Sequence, residues 1–322
     1  MPLPTASATT ARSSIPTTST SFPAPTINRP PPPPSLGGGS RSSFGADSFL
    51  SAKSGGGAAV ARGAPVAAKG NDDTQHDGHL VGPDGRTHRP GTPLSTVAGQ
   101  GNGPIIIQVN GINTNLAGQQ AEMARLQQLN PNARVVGIHN STQGTGNDLL
   151  QSIRDLAGAG GNAATASLRN TILTELRAGR PVHLVGYSQG AIITSRALTE
   201  VRTTLIQERT QALRAANPSW SASRVRNEAT RQAEAQMNRN IRVETFGGAA
   251  PSYPNGPQYV HYVNRGDPVA MFVGLGPLGT GRGRGAQVHY FNDGIGIPAH
   301  GWDRYMNHRV PFDQARRGDF RR

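Results

Sequence analysis

The sequence predicts an α/β domain with a mostly parallel sheet covered by helices on both faces. Three observations carry that expectation. From Pro104 onward, short β-branched runs alternate with helical patterns. Those runs are apolar at consecutive positions, as expected of strands buried on both faces. Ahead of residue 100, large apolar side chains are too sparse to offset the entropy of ordering a chain.

That leading segment is Ser, Thr, Pro, Gly and Ala, with the run Pro30 to Pro34 and glycine clusters at Gly37 to Gly39 and Gly55 to Gly57. It is predicted to be a disordered tail over 1–100, leaving a folded domain over 101–322. Its first forty residues are rich in Ser and Thr and lack acids. Plain linker, a non-cleaved export signal and a transit peptide all share that composition. The charged start and apolar stretch of a secretory signal are missing.

Within the folded part, "PIIIQVNG" predicts a first strand ending in Asn-Gly. A helix over Leu116 to Leu129 and the turn "NPNA" lead to a strand at Arg134 to Ile138. Helical patterns follow at Asp148 to Leu156 and at Ala164 to Ala178, the latter with Leu168, Ile172, Leu173 and Leu176 on one face. "PVHLV" predicts a third strand, and the next helix carries the stripe Ala197, Leu198, Val201 and Leu205. A polar helix from Ala222 to Met237 precedes two more strands, Ile241 to Phe246 and Gln258 to Val263. "QVHYF" is a further strand candidate. Ligands of open parallel sheets bind at the carboxyl ends of the strands.

Thirty-two Lys and Arg against 19 Asp and Glu give a formal charge of +13, almost all of it arginine. That balance favours anionic partners and says nothing about fold. Cysteine is absent, which excludes a disulfide framework, Cys-based metal sites and thiol chemistry. No apolar run is long enough to span a bilayer.

One motif stands at such a strand end. "GYSQG", Gly186 to Gly190, follows the third strand and opens the long helix. With this much glycine, chance alone yields about 0.3 matches to Gly-x-Ser-x-Gly, so the context carries the signal. A nucleophile elbow needs a sharp strand-to-helix turn with small neighbours, and Gly186 and Gly190 supply them. The helix N-terminus aims N–H groups at a developing oxyanion. The competing reading is a serine that merely caps a helix. A serine nucleophile also needs a base and an orienting acid. Downstream, "RGDPV" places Asp267 just past a strand and "AHGWDRY" offers His300 at the head of a short helix. His289 and His308 compete for the base; His183 and His261 sit within strands as packed or hydrogen-bonded residues. His76 and His79 are expected to be solvated in the tail.

The segments "GYSQGA", "GDPV" and "AHGWDRY", in that order, resemble the nucleophile, acid and base segments of cutinases. "TFGGAAP", followed by the Asp267 segment, is similar to fungal-type triglyceride lipases. Both families belong to the α/β-hydrolase superfamily. The resemblance spans roughly Pro104 to Met306 and implies Ser188 as nucleophile, Asp267 as orienting acid and His300 as general base. It implies the backbone N–H of Gln189 as one oxyanion donor. A second would come from "VNGINT", at Ile112 or Asn113. Cutinases carry disulfides, and this chain has none.

The chemistry so implied is acyl transfer on a lipid or other ester, with no metal or organic cofactor. Between acid and base, "VAMFVGLGPLG" precedes "GTGRGRG". Met271, Phe272, Val273, Leu275 and Leu278 are expected to face an acyl chain, with Arg282 and Arg284 toward an anionic headgroup. Tyr187, flanking the serine, is placed with this substrate-facing group. A core strand followed by a solvated glycine loop is the equal alternative for that stretch. The other functional class is a non-catalytic basic module on a hydrolase scaffold, binding nucleic acid or anionic membrane through Arg202 to Arg242, "GRGRG" and the terminal "RRGDFRR". Interspersed acids (Glu200, Glu208, Glu228, Glu234, Glu244) and the lack of stacking aromatics argue against nucleic acid. The setting expected by analogy is an exported bacterial effector, released by a non-classical route and acting on another cell's membrane. A cytoplasmic location stays open.

Overall fold

The computed structural model describes residues 73–141, 162–277 and 279–321, all within one unit that spans 58–322. Its sheet contains β1 (Leu80–Val81), β2 (Thr87–His88), β3 (Ile105–Val109), β4 (Arg134–Ile138), β5 (Val182–Tyr187), β6 (Ile241–Phe246), β7 (Gln258–Asn264) and β8 (Gln287–Phe291). Among the described residues they lie in the order β2-β1-β4-β3-β5-β6-β7-β8. From β4 to β8 every pairing is parallel; β1 runs antiparallel to β4 and to β2.

Strand alternation sorts the apolar side chains to two cores. Ile107, Val109, Leu184 and Val243 point to the face covered by α3 (Ala163–Arg177), α4 (Gln189–Ala216) and α5 (Ala222–Asn240). Ile106, Val135, Val185 and Phe246 point to the face covered by α2 (Leu116–Gln128), α7 (Trp302–His308) and α8 (Phe312–Arg316). A short helix between those sets, α6 (Pro268–Phe272), follows β7; α1 (Leu94–Val97) precedes β3. Asn115, Asn162 and Ser221 accept N–H bonds from the first turns of α2, α3 and α5, so three helix starts are set by local side chains. No helix among the described residues is long and apolar enough to cross a membrane.

The chain leaves β3 for β4 and then returns across β3 to β5. The two connections diverge at the carboxyl end of β3, which opens a crevice beside β5. Register aligns Val109 with Gly186, and Tyr187 with Phe246, so these strands end on one rim.

Three expectations change. The tail expected over 1–100 lies outside the described residues as far as 72, but beyond that the chain already belongs to the sheet. Leu80 and Val81 are fully buried, and His76 and His79 pack ring to ring at 5.3 Å instead of standing in solvent. Two-residue strands have no periodicity to detect, which is why composition placed the boundary too late. The aromatic judged missing beside the arginines is Trp220, in the turn between α4 and α5, where the chain's own Arg224 lies 4.0 Å over its ring. The helix expected over Asp148 to Leu156 lies outside the described residues.

A buried ion pair ties the C-terminal segment to the sheet. Glu244 of β6 is fully buried and accepts bonds of 2.9 and 2.7 Å from Arg309, just past α7, and 2.8 Å from His183 of β5. Burial alone would raise the Glu244 carboxyl, but Arg309 and the His183 bond outweigh it and hold the pKa at about 2. The folded value lies below the unfolded one. The stabilisation is therefore full above the ordinary carboxylate range and is lost as pH falls toward 2. Arg309→Met, which strands the carboxylate, is expected to cost about 3–5 kcal/mol in urea unfolding at neutral pH. Adding Glu244→Gln should recover part of that loss; a single variant as stable as wild type would rule out the pairing.

Candidate active site

Ser188 occupies the turn between β5 and α4. Its backbone has φ 53° and ψ −120°, a conformation that non-glycine residues rarely hold without strain. Four contacts keep it there. The Ser188 N–H donates to the Phe246 carbonyl at 3.1 Å, and its carbonyl accepts from Ala191 at 3.1 Å and from Ala249 at 3.0 Å. The fourth is close packing. A Cβ on Gly190 would stand 2.1 Å from the Val109 carbonyl oxygen, and one on Gly186 would stand 2.9 Å from the Ala191 Cα. Only glycine lets the first turn of α4 press against the end of β3.

The serine hydroxyl meets one histidine. Ser188 Oγ lies 2.8 Å from His300 Nε2, and His300 Nδ1 lies 2.7 Å from Asp267 Oδ2. The three side chains are buried: 2 %, 7 % and 0 % exposed in that order. Three segments far apart in sequence supply them: the β5 turn, the start of α6 and the 3-10 turn Ile297–His300 before α7. Asp267 also caps α6, its Oδ1 accepting the Val269 N–H at 2.8 Å. Capping leaves Oδ2 for the histidine and fixes the carboxylate plane. The rival histidines are engaged elsewhere. His308 stacks on Phe291 at 3.9 Å and faces Asp293, and His289 stacks on Phe320 at 4.4 Å. His183 bonds Glu244, and His261 sits between the Thr245 hydroxyl and the Arg282 carbonyl; burial pushes the His261 pKa down to about 4.

Chemically, such an arrangement lets the imidazole take the hydroxyl proton through Nε2 while the carboxylate holds the Nδ1–H. Gln189 begins α4, so its backbone N–H has no intrahelical acceptor. Its side chain is fixed by Asn140, whose amide donates to Gln189 Oε1 at 2.8 Å. Across the crevice, the loop after β3 carries Ile112 and Asn113, the latter at φ 58°. Buried Asn110 shapes that loop: its amide reaches the carbonyls of Gly111, Thr114 and Asn140, and its Oδ1 accepts the Asn140 N–H at 2.8 Å. Neither asparagine was singled out by sequence, because the contacts that join them to each other and to Gln189 span 30 to 49 residues.

The residues expected to face substrate fall in different surroundings. Tyr187 is engaged with the histidine: its hydroxyl donates to the His300 carbonyl at 2.6 Å and its ring stacks on the imidazole at 5.2 Å. Val273 and Leu275 are buried in the sheet core, where the α6 turn folds back. Arg282 lies over the Tyr290 ring at 5.7 Å, and Arg284 pairs with Glu234 of α5 at 3.4 Å. Met271 and Phe272 do border a cavity of about 570 Å³ whose floor is Asp267 and Pro268. Its other walls include Ile295, Pro277 and Arg265, none of them among the residues expected to face an acyl chain. Leu278 lies outside the described residues.

No protein-family model matches the chain, and no curated protein matches it. Among solved structures, the chain is similar to a cold-adapted esterase from an Arctic intertidal metagenomic library. Identity is 14 %, covering 69 % of this chain and 82 % of that one, at a TM-score of 0.36. It is also similar to a putative α/β hydrolase of unknown function from Agrobacterium tumefaciens, at 12 % identity, 65 % and 83 % coverage and a TM-score of 0.32. At these values the likeness carries no argument. The α/β-hydrolase architecture rests on the strand order and on the serine turn after β5.

Alanine at a helical glycine ordinarily stabilises by about 1 kcal/mol. At Gly190 the sign is expected to reverse, with a lower melting temperature, because the new methyl meets the Val109 carbonyl. A melting temperature equal to or above that of wild type would show that the approach is not tight.

Proposed function

We propose that this protein is a serine hydrolase that cleaves carboxylic esters of lipids through an acyl-enzyme intermediate. The observation that carries the reading is the unbroken chain of bonds from Ser188 Oγ through His300 to Asp267 on a strained, glycine-flanked turn. Ser188 attacks the ester carbonyl as His300 Nε2 takes its proton; the same proton goes to the leaving alcohol as the tetrahedral adduct collapses. Water then attacks the acyl-enzyme with His300 as base. The Gln189 N–H and an N–H from Ile112 or Asn113 receive the oxyanion, an interaction for which one donor is commonly worth about 10²–10³ in rate.

A lipid substrate is supported by the cavity beside the acid. Phe272 is 58 % exposed and Ile295 87 %, and both stand on its rim with Met271 and Pro277. Large apolar side chains held in water mark a surface that meets something apolar. Arg265 on the same rim, and the +13 charge of the chain, favour an anionic membrane as the place where that surface works. The nucleic-acid reading has less support: Arg169, Arg177, Arg202 and Arg231 on the helical face are each paired with a glutamate.

The test is hydrolysis of p-nitrophenyl esters from acetate to palmitate, with anionic phospholipid vesicles in parallel. Ser188→Ala is expected to abolish turnover and labelling by a fluorophosphonate. Wild type and variant equally inert on every substrate, and equally unlabelled, would sink the reading. Phe272→Asp with Ile295→Asp should lower vesicle hydrolysis about tenfold or more, the scale of losing two buried apolar contacts, while sparing the acetate ester. Equal loss on both substrates would count against the apolar rim.

A further inference from the structure

Asp267 is held by more than a base and a helix cap. Its Oδ2, the oxygen that His300 uses, also receives the hydroxyl of Tyr305 at 2.5 Å. Tyr305 lies on α7, one turn past the histidine, and is fully buried. Its oxygen in turn accepts the Asn264 N–H from the end of β7 at 3.3 Å, which orients the phenol. Burial and the neighbouring Asp267 carboxylate push the phenol's pKa far above its ordinary value, so the hydroxyl is the donor in that contact. Room for it is made by Gly247. That residue has φ 54°, and a Cβ there would stand 2.9 Å from the Tyr305 ring and 3.0 Å from Asp267 Oδ2.

We propose that Tyr305 is a positioning residue that sets the proton affinity of His300 through Asp267. The inference rests on the hydrolase reading of Ser188, His300 and Asp267. Two donors share one carboxylate oxygen. The phenol draws negative charge from the atom that would otherwise stabilise the imidazolium, so it lowers the proton affinity of the histidine. A neutral imidazole, the form able to take the serine proton, then persists to lower pH. The same bond fixes the carboxylate rotamer, so base and acid are clamped by one short stretch of chain that carries both His300 and Tyr305.

Other groups facing His300 do not substitute for this contact. Tyr187 of β5 stacks on the ring, and burial with the charges of Glu122, Asp267 and Asp303 pushes its phenol pKa well up, so it stays neutral. Ser188 is neutral, and Arg265 reaches the site only as a wall of the cavity at Asp267. Among the described residues the direct hydrogen bonds to the Asp267 carboxylate are those from His300, Tyr305 and the Val269 N–H.

The experiment compares wild type, Tyr305→Phe and a chain with 3-fluorotyrosine at position 305, a stronger donor of nearly the same shape. Each is read by the acid limb of kcat/KM on a soluble ester and by NMR titration of His300. Removing the donor leaves a more basic carboxylate, so Tyr305→Phe should move both readouts to higher pH, by about half a unit. The fluorinated chain should move them lower. A merely structural role would lower the plateau and leave the limb in place. Superimposed limbs and titrations in all three chains would overturn the proposal. Should Tyr305→Phe fail to fold, the fluorinated chain decides by direction alone. Should the wild type hydrolyse no ester, the hydrolase reading fails, while the NMR titration still judges the coupling.

Discussion

The approach of α4 to the end of β3 is the constraint from which the rest of the site follows. With Val109 carbonyl oxygen 2.1 Å from where a Cβ on Gly190 would stand, the helix starts directly over the strand. β5 can join that helix only through a turn too sharp for ordinary backbone, and Ser188 takes it up at φ 53°. Strain of this kind costs on the order of 1–3 kcal/mol and persists only where the surroundings over-determine it. Here they do: backbone bonds from Phe246, Ala191 and Ala249 hold the serine on two sides. The outcome is a hydroxyl presented above the sheet, beside a helix N-terminus and at the crevice where the sheet's connections diverge.

A site assembled from three distant segments depends on how those segments are tied to the sheet. Asp267 is tied by its own cap on α6. The histidine turn is tied from several directions: Tyr187 holds its carbonyl, Tyr305 reaches across to the acid, and Arg309 anchors the end of α7 to buried Glu244. Each tie is a polar contact inside an apolar layer, where an unmade bond costs more than in water. Such contacts specify one arrangement in a way that Val and Leu packing does not. They also explain how a chain without a cysteine holds a loop-borne histidine within 2.8 Å of a serine.

Beside this buried, bonded interior, the surface next to the acid is its opposite. Phe272 and Ile295 stand in solvent around a cavity with few polar atoms to offer. The buried Ser188 and the exposed apolar rim thus differ sharply in their surroundings.

The parallel sheet, its helices and the Ser188 turn were legible from sequence because each is a local pattern. "PIIIQVNG", "IRVETF" and the stripe Ala197, Leu198, Val201, Leu205 repeat with the period of their own element, and a glycine-flanked serine announces a turn where it stands. Asp267 and His300 were legible only as motifs in a known order. The motif order pointed to His300, and the structure supplies the physical reason that His289 and His308 do not meet the serine: the sheet edge sends their segments elsewhere. Tertiary structure alone turned Tyr187 onto the histidine, sent Arg284 to Glu234 and drew residues 73–100 into the domain. A two-residue strand, a buried asparagine or a phenol on a carboxylate has no period of its own. Its partner lies tens to hundreds of residues away, and only folding brings the two together.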